Sequence, residues 1–229
     1  MRLADNSRTP PGTFALSRDY PSGTAIGLHC HTHGQFIHAI SGVMELRAAG
    51  RLWLIPPGRG VWMPHQTVHE MRARNAVAMR TLYVAPEDSP RDMPDKPSGY
   101  VATSLLRELI LRLLHDKTCE PQPSRRANLL AVLIDELEQL PANDLSLPMP
   151  LEPRLAKACS YILSDPGEDL GLTELAKRSG ASVRTLSRLA HQELGCPLSV
   201  WRQQVRIFAA IPMLTAGEDG DENRERYWI

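Results

Sequence analysis

The stretch LTELAKRSGASVRTLSRLAHQELG, residues 172–195, carries the clearest structural pattern in this chain. Two helices that cross at a tight turn need a small residue at the crossing, and Ala176 lies there. They also need a residue that can adopt positive φ, which Gly180 provides four positions later. Ser182 is a favourable N-cap for the second helix, and Gly195 is a favourable stop. The shared apolar core falls on Leu175, Val183, Leu186 and Leu189. The stretch therefore predicts a helix-turn-helix.

The second of these helices presents polar side chains on the face opposite its apolar residues. An arginine there could donate two hydrogen bonds to one guanine in the major groove. The predicted base contacts are Arg184, Thr185, Ser187 and Arg188, and the predicted phosphate contacts are Lys177 and Arg178. Between residues 177 and 206, six Lys and Arg stand against one acid, Glu193, which gives +5 locally in a chain of net charge zero. We expect double-stranded DNA as the partner; the alternative is an ordinary helical hairpin with a solvated basic face.

The first third of the chain has a different pattern. Between residues 14 and 85, short apolar stretches alternate with turn formers, which is typical of a β-sandwich or barrel. The stretches are Gln35–Ile40, Val43–Leu46, Leu52–Ile55 and Met79–Val84. A proline-rich segment, Pro86–Gly99, follows. We expect the β structure to end near residue 90 and every ordered residue after 100 to be helical.

Apolar residues recur at helical spacing in Gly99–His115 and Arg125–Leu140. Each apolar face has to be buried, on the barrel or on a second subunit, and we expect at least one to form a homodimer contact. Further helices are predicted at Leu155–Leu163, Leu172–Ser179, Ser182–Leu194 and Pro197–Leu214. The predicted fold class is α+β with several domains: a barrel at 1–90, a helical linker at 99–141, a helix-turn-helix segment at 152–217 and an irregular tail at 218–229.

Bulk composition excludes some functions. The 229 residues, 42% hydrophobic and 23% charged, are ordinary for a globular chain. We see no apolar run long enough to cross a membrane and no signal segment, so we expect a cytoplasmic protein with no membrane partner. The cysteines Cys30, Cys119, Cys159 and Cys196 form no CxxC pair, which favours reduced thiols.

Three of the eight histidines lie close together, at His29, His31 and His33. In a strand these positions would share one face, and imidazoles are good ligands for Zn, Ni or Fe. His38 has the opposite parity from Gln35 and is expected to be a surface or packing residue. Trp53 and Trp62 are expected in the core or the pocket wall.

The surroundings of these histidines resemble the two sequence signatures of the cupin family. In the first, His31 and His33 are followed by Gln35 and, after six intervening residues, by Gly42. The second is matched by Gly58, Pro64 and His69, with Gln66 in place of a glycine. The resemblance implies a barrel pocket whose metal ligands are His31, His33, Gln35 and His69. His29 would lie at the barrel mouth or act as a third ligand.

Gln35 stands where cupin enzymes have a glutamate. The loss of that negative charge implies weaker binding of a divalent ion such as Zn, Ni or Fe. The alternative is a metal-free effector pocket with polar walls.

Residues from about 155 to 217 resemble the first half of the DNA-binding domain of AraC-type regulators. The run LTELAKRSGASVRTLSRLAHQELGCPLSVWRQQVRI carries this resemblance, which places base contacts on Arg184, Ser187 and Arg188. Pro197–Leu214 would be the long helix between the family's two helix-turn-helix units, and the final residues EDGDENRERYWI show no second unit.

Together the two resemblances imply a transcription regulator, not an enzyme, controlled by a small molecule or metal ion in a cupin pocket. The helices between barrel and helix-turn-helix would transmit the change. Two alternatives remain open: a metal-dependent cupin enzyme of the oxygenase or isomerase type, and a truncated regulator that has lost its function.

Overall fold

A computed structural model describes residues 4–5, 10–115 and 123–217. The chain divides into two compact units, the first formed by residues 1–49 and 53–145 and the second by residues 50–52 and 146–229. The predicted tail at 218–229 and Cys119 lie outside the described residues. Cys30, Cys159 and Cys196 are free thiols.

Ten strands lie in the first unit, except that the first two residues of β6 belong to the second unit. They are β1 (Ala4–Asp5), β2 (Phe14–Tyr20), β3 (Ala25–Cys30), β4 (Gly34–Ser41), β5 (Met44–Ala48), β6 (Arg51–Ile55), β7 (Arg59–Met63), β8 (His69–Ala73), β9 (Val77–Val84) and β10 (Ser98–Val101). One sheet follows the order β1-β3-β8-β5-β6 and the other the order β10-β7-β4-β9-β2. Neighbouring strands are antiparallel at β3–β8, β5–β8, β4–β7 and β4–β9, whereas β1 runs parallel to β3.

Strand parity divides the side chains of the first unit between two cores. One core is shared by both sheets and includes Ile37, Met44, Trp53 and Met79. The other lies on the far face of the second sheet, where Phe36, Trp62 and Leu82 pack against helices α1 (Ser104–His115) and α2 (Pro123–Glu138). Trp53 and Trp62 are therefore both core residues, and the buried residues of α1 and α2 belong to this second core.

Two short strands contradict the expectation that β structure ends near residue 90 and that only helices follow residue 100. β10 pairs antiparallel with β7, with Tyr100 opposite Gly60. A further strand, β11 (Ser146–Pro148), belongs to the second unit, where the Met149 amide donates to the Gly50 carbonyl (2.8 Å). Both strands provide hydrogen-bond partners for backbone groups at the edge of another strand. Strands as short as these show no periodic pattern of apolar residues, so they were not predicted.

The rest of the second unit is helical: α3 (Pro153–Ser164), α4 (Leu172–Ser179), α5 (Val183–Glu193) and α6 (Leu198–Ala216). Leu155, Leu175, Leu186 and Trp201 are fully buried at its centre. The indole Nε1 of Trp201 donates to the Pro148 carbonyl (2.9 Å). No helix within the described ranges is both long and apolar enough to cross a bilayer.

Candidate metal centre and nucleic-acid interface

Three histidines converge inside the first unit. His29 lies in β3 opposite His69 of β8, and their ring centroids are 4.2 Å apart. His31, in the loop after β3, lies 4.9 Å from His29 and 5.6 Å from His69 by the same measure. One ring nitrogen from each histidine lies within 4.8 Å of the other two, and all three residues are buried. This spacing suits three ligands of a single ion.

Backbone hydrogen bonds fix the ring orientation of two of these histidines. The Nδ1 atom of His29 is 2.7 Å from the Gly27 carbonyl, and that of His69 is 2.9 Å from the Thr67 carbonyl. Because a carbonyl only accepts, each Nδ1 carries the proton and each Nε2 keeps its lone pair. The buried Nε2 of His69 and Nδ1 of His31 have no hydrogen-bond partner in the described structure. Both atoms are thus available to a ligand.

The electrostatics also keep the site neutral. Burial, followed by the neighbouring imidazoles, lowers the pKa of His31 to about 4. Burial likewise lowers the pKa of His69 to about 4, against the opposing effect of its bond to Thr67. Neutral imidazole is the form that binds metal ions, so both rings are in the ligating form at neutral pH.

The loop that carries His31 differs from the extended strand expected for His29, His31 and His33. β3 ends at Cys30, and residues 31–33 form an irregular connection to β4. His33 lies outside the group of three: its Nε2 is 3.2 Å from the Gly12 carbonyl and its Nδ1 is 3.2 Å from the Thr32 hydroxyl. The strand-parity argument for His33 is therefore wrong.

The turn before β8 has the geometry that the second signature implies. Gln66 has φ of +57° at the position where the signature has glycine, a region that glycine adopts most readily. Its amide donates to the carbonyl of His31 (2.6 Å), which ties the two histidine-bearing loops together.

Gln35 and Tyr83 lie beside this group of three histidines. They are register partners on β4 and β9, and their side chains contact each other. Gln35 is buried, and its Oε1 has no partner among the described groups. The Tyr83 ring lies 5.3 Å from that of His31, and burial raises the pKa of the phenol.

Tyr83 was not identified from the sequence. A partial signal exists, because Val77, Met79 and Tyr83 share a parity that turns to the interior, but the pairing with Gln35 becomes visible only with the register. His38, on the opposite face of β4, is a buried packing residue whose Nδ1 lies 2.9 Å from the Arg59 carbonyl.

The helix-turn-helix of the second unit has the predicted turn geometry. α4 ends at Ser179, and Gly180 follows in the left-handed region with φ of +74°. The Ser182 hydroxyl accepts from the Thr185 amide (3.1 Å) and caps α5. Leu175 and Ala176 are buried beneath this turn.

The side chains predicted to contact DNA are presented unequally. Lys177, Arg178, Arg184 and Arg188 are exposed, whereas Thr185 and Ser187 are half-buried. Arg188 donates to the Gln192 Oε1 (2.7 Å), one turn further along α5. Arg178 is paired with Glu174 (2.8 Å) and lies over the Tyr161 ring, so it is less free than Lys177 to contact a phosphate.

Two of the six basic residues counted between 177 and 206 have a structural role. Arg202 pairs with Asp169 (3.0 Å), and Arg206 donates to the Pro166 carbonyl (3.0 Å). Both side chains are only 14% exposed. The basic surface therefore consists of the residues on α4 and α5, and the local charge of +5 overstates it.

This architecture, a cupin-like β domain with a buried group of histidines and a helix-turn-helix in the second unit, is that of a ligand-controlled transcription regulator. Residues 11–147 match the family described as AraC-like ligand binding domain. The chain is similar to the HTH-type transcriptional regulator NimR of Escherichia coli (strain K12), with 30% identity over 191 residues, which are 83% of this chain and 69% of that protein.

Two solved structures have lower similarity. ToxT from Vibrio cholerae O395 has 8% identity and a TM-score of 0.42, and the match covers 95% of this chain and 88% of that chain. KdgF from Halomonas sp. has 22% identity and a TM-score of 0.31, and the match covers 34% of this chain and 76% of that chain.

The chain belongs to the AraC family of transcription regulators. This confirms the predicted class, a DNA-binding regulator with a small-molecule-binding cupin-like domain.

Proposed function

We propose that α5 reads DNA bases in the major groove through Arg184 and Arg188, flanked by Thr185 and Ser187. The observation that carries this proposal is the outward face of α5, where two arginines four residues apart are exposed while Leu186 between them is buried. Side chains at this spacing face one groove and can reach neighbouring base pairs. Lys177 and Arg178, on α4, would contact phosphates.

The test is a titration of the full chain against a duplex from its own upstream region and a random duplex of equal length. Arg188→Ala should reduce the ratio of specific to random affinity, since a bidentate contact supplies about 1–3 kcal/mol of discrimination. Arg18→Ala is the matched control, because it removes the same charge from an exposed strand position in the other unit. Negligible affinity of the wild type for both duplexes would overturn this proposal.

We also propose that the cupin-like pocket holds a divalent ion, Zn, Ni or Fe, on His29, His31 and His69. Three buried imidazoles, two of which have an unpartnered ring nitrogen, fit such an ion. The bound ion would supply a positive, electron-accepting centre to an effector. The carbonyls of Gly27 and Thr67 hold the two strand histidines in the ligating orientation. Of the metal ligands predicted from the sequence, the proposed set keeps His31 and His69. His29 replaces His33.

Elemental analysis of purified protein tests this ligand set. His69→Ala should lose the metal, whereas His33→Ala, a substitution of the same kind outside the group, should retain it. A wild-type protein that stays metal-free after incubation with each ion in turn would favour the metal-free effector pocket.

We propose further that the protein acts as a cytoplasmic homodimer through α1 and α2. Leu105 and Val132 are about half exposed on these helices, at 52% and 50%. Two copies would place two recognition helices on one duplex and lengthen the recognised sequence. Sedimentation of Leu105→Glu and Val132→Glu should show monomers, whereas Arg107→Glu at an exposed polar position of α1 should not.

A cupin enzyme is the second candidate function, favoured by the three converging histidines. The helix-turn-helix argues against it, because catalysis needs no exposed pair of arginines on a recognition helix. Metal-dependent turnover of a small substrate by the full chain, with no response of DNA binding to that substrate, would support the enzyme.

A further inference from the structure

The proposed ion site has an unbalanced charge. Among the described residues, the group of possible ligands consists of three histidines and contains no carboxylate. A divalent ion on three neutral imidazoles would carry its full charge into a site whose ligands are all buried. Such a charge is strongly unfavourable unless an opposite charge is supplied.

The protein has polar groups beside this site that could hold an exogenous anion. The Tyr83 phenol is a hydrogen-bond donor, and the Gln35 amide offers both a donor and an acceptor. The two side chains contact each other, and the Tyr83 ring contacts His31. Gln35 is only 2% exposed, and its Oε1 has no partner within the described structure. Because Oε1 only accepts hydrogen bonds, it suits the positive ion, and the donors that an anion needs are the Tyr83 hydroxyl and the Gln35 NH₂ group.

We propose that the effector is a small monoanion with oxygen donors, such as a carboxylate, which binds beside the ion and is positioned by Gln35 and Tyr83. This inference rests on the ion site proposed above. The anion supplies the negative charge that the ligand set lacks, so ion and anion bind with positive cooperativity. The amide at position 35 makes the pocket depend on its effector, because a glutamate there would neutralise the ion permanently.

The test is a Co(II) titration of metal-free full-length protein, read by visible absorption at constant pH and at ionic strength fixed with perchlorate. Acetate should tighten Co(II) binding at least about tenfold, the scale on which neighbours of metal ligands act. It should also change the Co(II) spectrum. Acetamide, which has a similar shape without the charge, should do neither.

Two variants assign the effect to residues. Gln35→Glu should bind Co(II) tightly without acetate and lose the response to it. Tyr83→Phe should keep the Co(II) affinity measured without acetate and show a smaller acetate effect. If Gln35→Glu fails to fold, the comparison of acetate with acetamide on the wild type and on Tyr83→Phe still decides whether an anion binds beside the ion.

The outcomes separate the two proposals. Co(II) that does not bind under any condition overturns the ion site itself. Co(II) that binds equally with and without acetate, with an affinity that rises with pH, means that hydroxide supplies the charge, and it overturns the anionic effector alone. An acetate effect that persists undiminished in Gln35→Glu also overturns it.

Discussion

His29 and His69 face each other across the β3–β8 pair with ring centroids 4.2 Å apart, and each donates its Nδ1–H to a carbonyl two residues earlier in the chain. The two bonds, to Gly27 and Thr67, leave the same ring nitrogen unprotonated on both histidines. Two strands thus present the same tautomer to one point, and the loop residue His31 adds a third nitrogen. This arrangement organises the site before any ligand arrives.

Zinc should stabilise the wild-type protein against heat, because a ligand that binds only the folded state adds to the free energy of unfolding. At a free concentration of one hundred times Kd the gain is about 2.7 kcal/mol. Differential scanning fluorimetry should show a rise in Tm for the wild type and for His33→Ala, but not for His29→Ala. An equal rise in His29→Ala would place the zinc elsewhere.

Metal-free protein should lose stability as the pH falls from about 6.5 towards 4. The folded pKa values of His31 and His69 are about 4, below the ordinary 6.5, so in this range the unfolded chain binds more protons. The stabilisation is fully present above pH 6.5 and is lost as the pH falls to the folded values. Urea unfolding of chelator-treated protein at pH 7, 6 and 5 measures the slope of the free energy of unfolding against pH. In this range most carboxylates do not yet titrate. The double variant His31→Gln, His69→Gln should have a flatter slope, and an unchanged slope would contradict this origin.

The helix-turn-helix was predictable from sequence because its signals are local. α4 begins and ends as predicted, at Leu172 and Ser179, and Gly180 and Ser182 have the turn and cap roles that their chemistry indicates. Glycine at positive φ and serine at an N-cap act within a few residues, so no long-range contact is needed to place them.

The candidate metal site was only partly predictable, because it depends on pairing between distant strands. His31 and His69 were identified through the resemblance to the cupin signatures, but the exchange of His33 for His29 follows from the end of β3 at Cys30 and from a register shift between Ile26 and His29. A bulge of this kind reverses strand parity and leaves no periodic signal. Tyr83 needed the β4–β9 register for the same reason.

Gly180→Val should loosen the helix-turn-helix. A side chain at φ of +74° costs about 1–2 kcal/mol, and a β-branched residue is the least tolerant of that region. Gly180→Asn is the matched control, since asparagine adopts left-handed backbone more readily. Hydrogen exchange of the α4 and α5 amides should accelerate in the valine variant and change little in the asparagine variant. Equal protection in both would mean that the turn relaxes to a right-handed conformation without cost.

Lys177 and Arg178 should contribute unequally to DNA binding, although both precede the same turn. Arg178 is held by Glu174 at 2.8 Å and lies over the Tyr161 ring, so reaching a phosphate requires it to give up an ion pair. Lys177 is exposed and can contact a phosphate without that loss. Lys177→Ala should therefore weaken binding to specific and random duplexes alike and lower the slope of log affinity against log salt by about 0.9, the value for one phosphate contact.

Arg178→Ala should lower that slope by less than Lys177→Ala does. Glu174→Gln, which releases Arg178 from its ion pair, should increase the slope. The measurement is a titration of each variant against both duplexes at several salt concentrations. A larger slope change for Arg178→Ala than for Lys177→Ala would show that Arg178 leaves Glu174 in the complex and is the main phosphate contact of α4.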